Sequence, residues 1–169
     1  MDQDEIIRSR IRKHRNTLNI LGTGTMALGI WNVIKFIIGL ISTPKEILDE
    51  LFAEQIYTDN MMLLILILIV LLGGSMALYL YAGDRARAEG RGKKKRSFYI
   101  GVVFLLSLMH TLSALYLVIT LLSGYDIRES VLSIIVAVIV DMTAAITLAE
   151  MGWSAVMIRK YQRMAITEK

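Results

Sequence analysis

Long apolar blocks alternate with short polar segments along this chain. Four blocks cover about residues 18–41, 61–81, 98–122 and 131–158. Each is close to or above the ~20 residues that an α-helix needs to cross ~30 Å of hydrocarbon. Because every backbone group in lipid must find its hydrogen-bond partner within the protein, each block should form a transmembrane helix. The pattern predicts an all-α integral membrane protein, one domain of 169 residues with four transmembrane helices in two hairpins.

The segment between the first two blocks predicts a further, short helix at about residues 43–56. Thr43 can cap this helix, Pro44 suits its first turn, and Glu46 completes a capping box. Its apolar side chains fall on one face and its acidic side chains mostly on the other. We expect an amphipathic helix that lies on the outer membrane surface, with a helix that binds a partner protein as the alternative.

Basic residues gather at one end of the predicted bundle. Sixteen of the 19 lysines and arginines lie in the N-terminal tail (1–17), the middle loop (84–97) and the C-terminal tail (159–169). The positive-inside rule therefore predicts that both termini and the middle loop are cytoplasmic. We expect the chain to reside in the cytoplasmic (plasma) membrane.

The middle loop carries seven of these cations and is a candidate binding surface. Cations in this position attract anionic lipid headgroups by roughly 1 kcal/mol per residue near the membrane surface, and a partner protein is the alternative ligand. A nucleic acid is not expected, because no aromatic stacking platform accompanies the basic run. The seven residues are Arg85, Arg87, Arg91, Lys93, Lys94, Lys95 and Arg96.

Composition argues against several kinds of site. The chain has 55% hydrophobic residues, no cysteine and two histidines, which speaks against disulfides, thiolate metal sites and a histidine-rich metal or haem site. It carries no nucleotide-binding loop, zinc-protease motif or CxxC pair, and its polar segments are too short for a catalytic domain. We therefore expect no cofactor, no metal and no enzymatic activity.

Polar residues within the apolar blocks are the candidate functional residues, because charge at membrane depth is costly and usually faces protein or water. They are Lys35, Asp141, Glu150, His110 and Asn32. At about 1.5 Å per helical residue, Lys35 and Asp141 both lie roughly 25–27 Å from the basic boundary. The matching heights predict a Lys35–Asp141 ion pair, which would either fix how two helices dock or take part in an ion relay.

The two acids of the fourth block are predicted to point in different directions. Asp141 and Glu150 are nine residues apart, which puts them on opposite sides of one helix. An oligomer would supply protein or water to both sides, whereas Glu150 alone could instead reach headgroups or a water-filled vestibule ~13 Å from the basic boundary. The opposite directions argue against an intramembrane enzyme, whose acids would have to converge.

Small residues predict where helices pack. The first block carries a seam of small and polar residues at spacings of three and four, along which another helix can approach closely. The second block is strongly apolar, and we expect it to be the helix most exposed to lipid. Tyrosines near the block boundaries, Tyr79 and Tyr99 among them, are expected to form an aromatic belt. The seam comprises the small or polar residues Gly22, Thr25, Gly29, Asn32 and Gly39, together with Phe36.

Two functions are compatible with this pattern. The favoured hypothesis is a non-catalytic membrane subunit or scaffold that assembles with itself or with a partner membrane protein, and whose basic face binds lipid headgroups. The alternative is a homo-oligomeric channel or small transporter. Its polar path would consist of Asp141, Glu150, His110 and Lys35.

Overall fold

Four long helices make up the described part of the chain. The computed structural model describes residues 3–42, 54–93, 97–123 and 131–167. The helices are α1 (Gln3–Ser42), α2 (Glu54–Gly90), α3 (Phe98–Ser123) and α4 (Val131–Thr167). Each is long and apolar enough to cross a membrane, and the described residues contain no strand. The all-helical class and the four helices of membrane-spanning length are thus confirmed.

The short helix predicted at about 43–56 falls almost wholly outside the described residues, since residues 43–53 are not among them. Its last three positions form the start of α2.

Three of the helices run well past the predicted spans. α1 has 40 residues and α2 and α4 have 37 each, which at about 1.5 Å per residue is nearly twice the thickness of the hydrocarbon. Residues 54–60 extend α2 at its start, and the other extra turns are the basic segments at 3–17, 82–90 and 159–167. These segments are rich in arginine, lysine, glutamate and alanine, which favour helix. The basic end of the molecule is therefore an extension of the bundle, not a set of free tails.

The end of α2 is a defined helix cap. Gly92 has a φ of 79°, in the left-handed region that glycine adopts at little cost. Its N–H donates to the carbonyl of Glu89 at 3.0 Å, and the N–H of Lys93 donates to the carbonyl of Ala88 at 2.9 Å. This pair of bonds is a Schellman motif, which stops the helix and turns the chain toward α3.

The helices form three extensive interfaces. α1 packs along both α2 and α4, and α3 packs along α4, whereas α2 meets α3 and α4 over shorter stretches. The fully buried core residues lie mostly toward the basic end. Toward the other end, large apolar side chains are exposed, such as Ile41, Leu122 and Leu132. An exposed apolar surface of this kind suits lipid as the surrounding solvent.

Glycines bring the backbones of α1 and α2 into contact. A Cβ atom on Gly22 would lie 2.7 Å from the carbonyl oxygen of Gly83, and one on Gly90 would lie 2.8 Å from that of Arg15. Gly22 therefore lies where two helices approach closely, as predicted for the packing seam. The partner glycines of α2 lie beyond its predicted span, while Gly74 within that span has open space beside it.

The second helix was predicted to be the one most exposed to lipid, and this describes only the first part of α2. Leu66 and Val70 are exposed, as expected, but the stretch from Tyr79 to Gly90 packs closely on α1.

Candidate functional site

A hydrogen-bonded chain of side chains joins α2, α3 and α4 within the apolar part of the bundle. His110 Nδ1 lies 2.8 Å from Asp141 Oδ1, and the hydroxyl of Ser113 donates to Asp141 Oδ2 at 2.7 Å. The hydroxyl of Tyr79 contacts His110 Nε2. A carboxylate oxygen accepts, so Nδ1 carries a proton, and in the neutral ring Nε2 then accepts from the tyrosine.

Local geometry explains how these groups meet. His110 and Ser113 are three residues apart on α3, so they share one face of that helix and both reach the same carboxylate. Tyr79 is 6% exposed and presents its ring edge-on to His110, with 6.1 Å between the ring centroids. Gly29 of α1 makes room behind it, because a Cβ atom there would collide with the tyrosine Cβ. A glycine of the predicted seam therefore positions the tyrosine.

The predicted Lys35–Asp141 ion pair is not formed. Lys35 is exposed on α1, and the carboxylate of Asp141 is bound by the histidine and serine of α3 instead. Two side chains at the same height on neighbouring helices meet only if both point toward each other. Here α1 packs on α4 through other residues, such as Thr25, whose hydroxyl lies 3.5 Å from Met151 Sδ. Asn32 is half-buried on α1 and is not one of the hydrogen-bond partners of this chain of side chains.

Glu150 points away from Asp141, as the spacing predicts. Its side chain is exposed and lies within electrostatic reach of His14 on α1. The two acids of α4 therefore face different helices and do not form one site.

A second network, which the sequence did not reveal, joins α2, α3 and α4 at the basic end. Glu89 is 3% exposed, and Arg159 contacts it with two nitrogens, Nε to Oε1 at 3.2 Å and Nη2 to Oε2 at 3.0 Å. Tyr99 donates its hydroxyl to Oε2 at 2.8 Å. A third nitrogen of Arg159 reaches the hydroxyl of Ser97 at 2.8 Å. We call this group the Glu89 network.

The sequence does not predict that Glu89 is buried, because a glutamate within a basic run is ordinarily solvated. The available signal was the spacing of small residues, with Ala82, Ala86 and Gly90 four residues apart. Such spacing marks one packed face of a helix that continues through the basic segment. Both alanines are fully buried.

A third contact ties the N-terminal segment to the C-terminal one. Arg10 donates to the hydroxyl of Tyr161 at 3.0 Å, and its guanidinium lies 5.7 Å from the centroid of the ring. His14 stacks on the same ring and approaches the Ser154 hydroxyl to 3.3 Å. The two chain ends therefore pack on one another as helices.

The described basic residues of the middle loop do not all face solvent. Arg85 lies over the ring of Tyr81, at 5.6 Å from its centroid, and Arg87 packs on α1, where Nη1 lies 3.7 Å from Met26 Sδ. Arg91 and Lys93 are exposed. The remaining three cations, Lys94, Lys95 and Arg96, lie outside the described residues.

Both networks join helices through hydrogen bonds between side chains. Within the described stretches, no three histidine or acidic side chains converge as a metal site would require. Comparison with known protein families, characterised proteins and solved structures finds no match.

Proposed function

We propose that this chain is a non-catalytic integral membrane subunit of the cytoplasmic membrane, with both termini and the basic helix ends on the cytoplasmic side. The observation that carries the proposal is the Glu89 network. A buried ion pair contributes little net stability, but it disfavours every arrangement in which the partners separate. Here it sets three helices in one relative position at the basic end, as a scaffold requires.

Assembly with further copies of the chain is supported by charges that face outward from apolar surface. Lys35 is exposed beside Trp31, Ile34 and Ile38, which are exposed as well. Glu150 is exposed on α4 next to Trp153. Charge at membrane depth is costly and usually faces protein or water, so another protomer or enclosed water would stabilise both side chains.

Oligomeric state tests this proposal. The full chain is purified in a mild detergent and its mass is measured by native mass spectrometry, for the wild type, Lys35→Met and Glu150→Gln. Lys13→Gln is the matched control, since Lys13 is an exposed cation at the basic end of α1. We expect a wild-type oligomer that at least one of the two intramembrane variants weakens, and that the control leaves intact. A wild type that stays monomeric in detergent and in nanodiscs would contradict the proposal.

A second candidate function, proton-linked transport, is favoured by the Tyr79–His110–Asp141 chain. Ionisable groups bonded across helices at membrane depth are the usual components of proton pathways. The test is acidification of proteoliposomes that enclose a pH-sensitive dye. Transport predicts a flux that falls at least tenfold in Asp141→Asn, since the carboxylate can then no longer take up a proton, and that persists in Glu150→Gln. A scaffold predicts no flux in any of the three proteins.

A further inference from the structure

A groove at the basic end lies outside both networks. It is lined by Arg8, Ile11, Arg12 and Arg15 of α1 and by Gln162 of α4. The four α1 residues follow the helical spacing of three, one and three, so they occupy a single face of that helix. This face continues past the point where α2 ends at Gly90, whose Cα lies against the backbone of Arg15 and Asn19. The end of α2 thus leaves a cationic recess between the α1 and α4 extensions.

Within the described residues, no carboxylate forms an ion pair with the arginines of this groove. The two ion pairs described above, His110–Asp141 and Arg159–Glu89, do not involve a groove arginine. Arg15 Nε and Gln162 Oε1 are buried from solvent, and neither makes a hydrogen bond within the described protein. Like charges three and four residues apart destabilise a helix, and a bound anion would offset that repulsion.

The groove is open on one side, and a glycine stands at its edge. Gly92 stands beside the guanidinium of Arg15, and a Cβ atom at that glycine would lie 3.6 Å from Nη2. The planar fork of arginine binds phosphate oxygens in pairs. Arg8 and Arg12 are exposed along the groove, so their guanidinium groups can close on a ligand from the open side.

We propose that Arg8, Arg12 and Arg15, with Gln162, form a binding site for a phosphate monoester. A monoester carries close to two negative charges at neutral pH, which matches three unpaired arginines better than the single charge of a diester. The ligand is either the headgroup of a phosphatidic-acid-like lipid or a soluble phosphate. Arg15 lies about 5 Å and Arg8 about 15 Å beyond the apolar boundary at residue 18, a depth that reaches from the headgroups into water.

Binding of two probes to the full chain tests the site. Inorganic phosphate is titrated calorimetrically into the detergent-solubilised protein at 0.15 M ionic strength. Separately, nanodiscs with equal amounts of phosphatidic acid and phosphatidylglycerol are analysed by native mass spectrometry for lipid that stays bound. The variant is Arg12→Gln/Arg15→Gln, and Lys13→Gln is the control, because it loses one neighbouring charge outside the groove.

We expect the double variant to bind the preferred probe at least about tenfold more weakly than the wild type, since two charge-assisted contacts are lost. The control should match the wild type. Retention of phosphatidic acid alone identifies a lipid as the ligand, phosphate binding alone identifies a soluble anion, and either supports the site. Equal binding by wild type and double variant overturns it, as does a wild type that binds neither probe, or one that retains the two lipids equally and binds no phosphate.

Two features keep the result interpretable. Arg12 is exposed, so the single variant Arg12→Gln should keep the wild-type helix content and elution volume, and it replaces the double variant if that protein fails to fold. The lipid arm rests on the proposed function, because it requires the basic helix ends to lie at a membrane surface, whereas the phosphate arm does not. Oligomeric mass is measured on the same samples, so failure of the anion site and failure of the proposed assembly are recognised separately.

Discussion

Substitution of Glu89 by glutamine should destabilise the bundle strongly, although it replaces only one heavy atom, a carboxylate oxygen, by nitrogen. The carboxylate is 3% exposed and accepts from Arg159 and Tyr99. If the new amide keeps its oxygen at the position of Oε2, its NH2 group faces Arg159 Nε, and two donors then oppose each other.

The expected cost follows from these contacts. One charge-assisted hydrogen bond is lost outright, at about 1.5–3 kcal/mol, and the other two become weaker neutral-acceptor bonds. Breaking a fully buried ion pair costs about 3–5 kcal/mol, but the side chain of Arg159 is 20% exposed and keeps its bond to Ser97. We therefore expect a loss of about 3 kcal/mol in the free energy of unfolding, at the lower end of that range.

Reversible unfolding in mixed micelles, with SDS as denaturant and far-ultraviolet circular dichroism as the signal, measures this loss. The matched control is Asp84→Asn, five residues earlier on the same helix, where the carboxylate is exposed and the expected change is within about 0.5 kcal/mol. Arg159→Gln and the double variant complete a cycle, in which we expect a coupling energy of about 2 kcal/mol. A loss in Glu89→Gln no larger than that of the control would refute the structural importance of this ion pair.

Three further outcomes are expected. Gly83→Ala should lower the free energy of unfolding by about 1–3 kcal/mol, because the new Cβ collides with the α1 backbone. Gly74 has open space beside it, so Gly74→Ala should be neutral or stabilising by about 0.5–1 kcal/mol. SDS unfolding measures both variants. Ser113→Ala should cost about 0.6 kcal/mol in the same assay, the average for one interhelical hydrogen bond in a membrane, with about 1.7 kcal/mol as the upper bound, and no measurable loss would show that the serine does not stabilise the site. Lys93→Cys in this cysteine-free chain should react with a membrane-impermeant maleimide in inverted vesicles only, and reaction in intact cells would reverse the proposed orientation.

Several features of the fold follow from local pattern. Hydrophobic length predicts four membrane-crossing helices, because the backbone in lipid has no other way to satisfy its hydrogen bonds. The nine-residue separation of Asp141 and Glu150 predicts their opposite directions, since the period of a helix is the same wherever the helix lies. Gly22 and Gly29 are likewise marked as packing positions by spacing alone, and both meet α2.

Side-chain partners across helices could not be predicted in the same way. The height of Asp141 along α4 suggested Lys35, but the rotation of each helix about its axis decides which groups meet, and that rotation turns the carboxylate toward His110. Tyr79 was assigned to an interfacial belt by position, yet Gly29 lets it enter the bundle and reach the histidine.

The sequence by itself determined the class of molecule, the number of membrane-length helices and the clustering of cations at one end, because each depends on residues that are close together along the chain. Only the tertiary structure decided that the basic segments continue as packed helices, that Glu89 is buried against Arg159, and that Asp141 binds His110. These pairings join residues 31 and 70 positions apart. They depend on how whole helices rotate about their axes and pack on one another, and the sequence of one helix alone does not determine that arrangement.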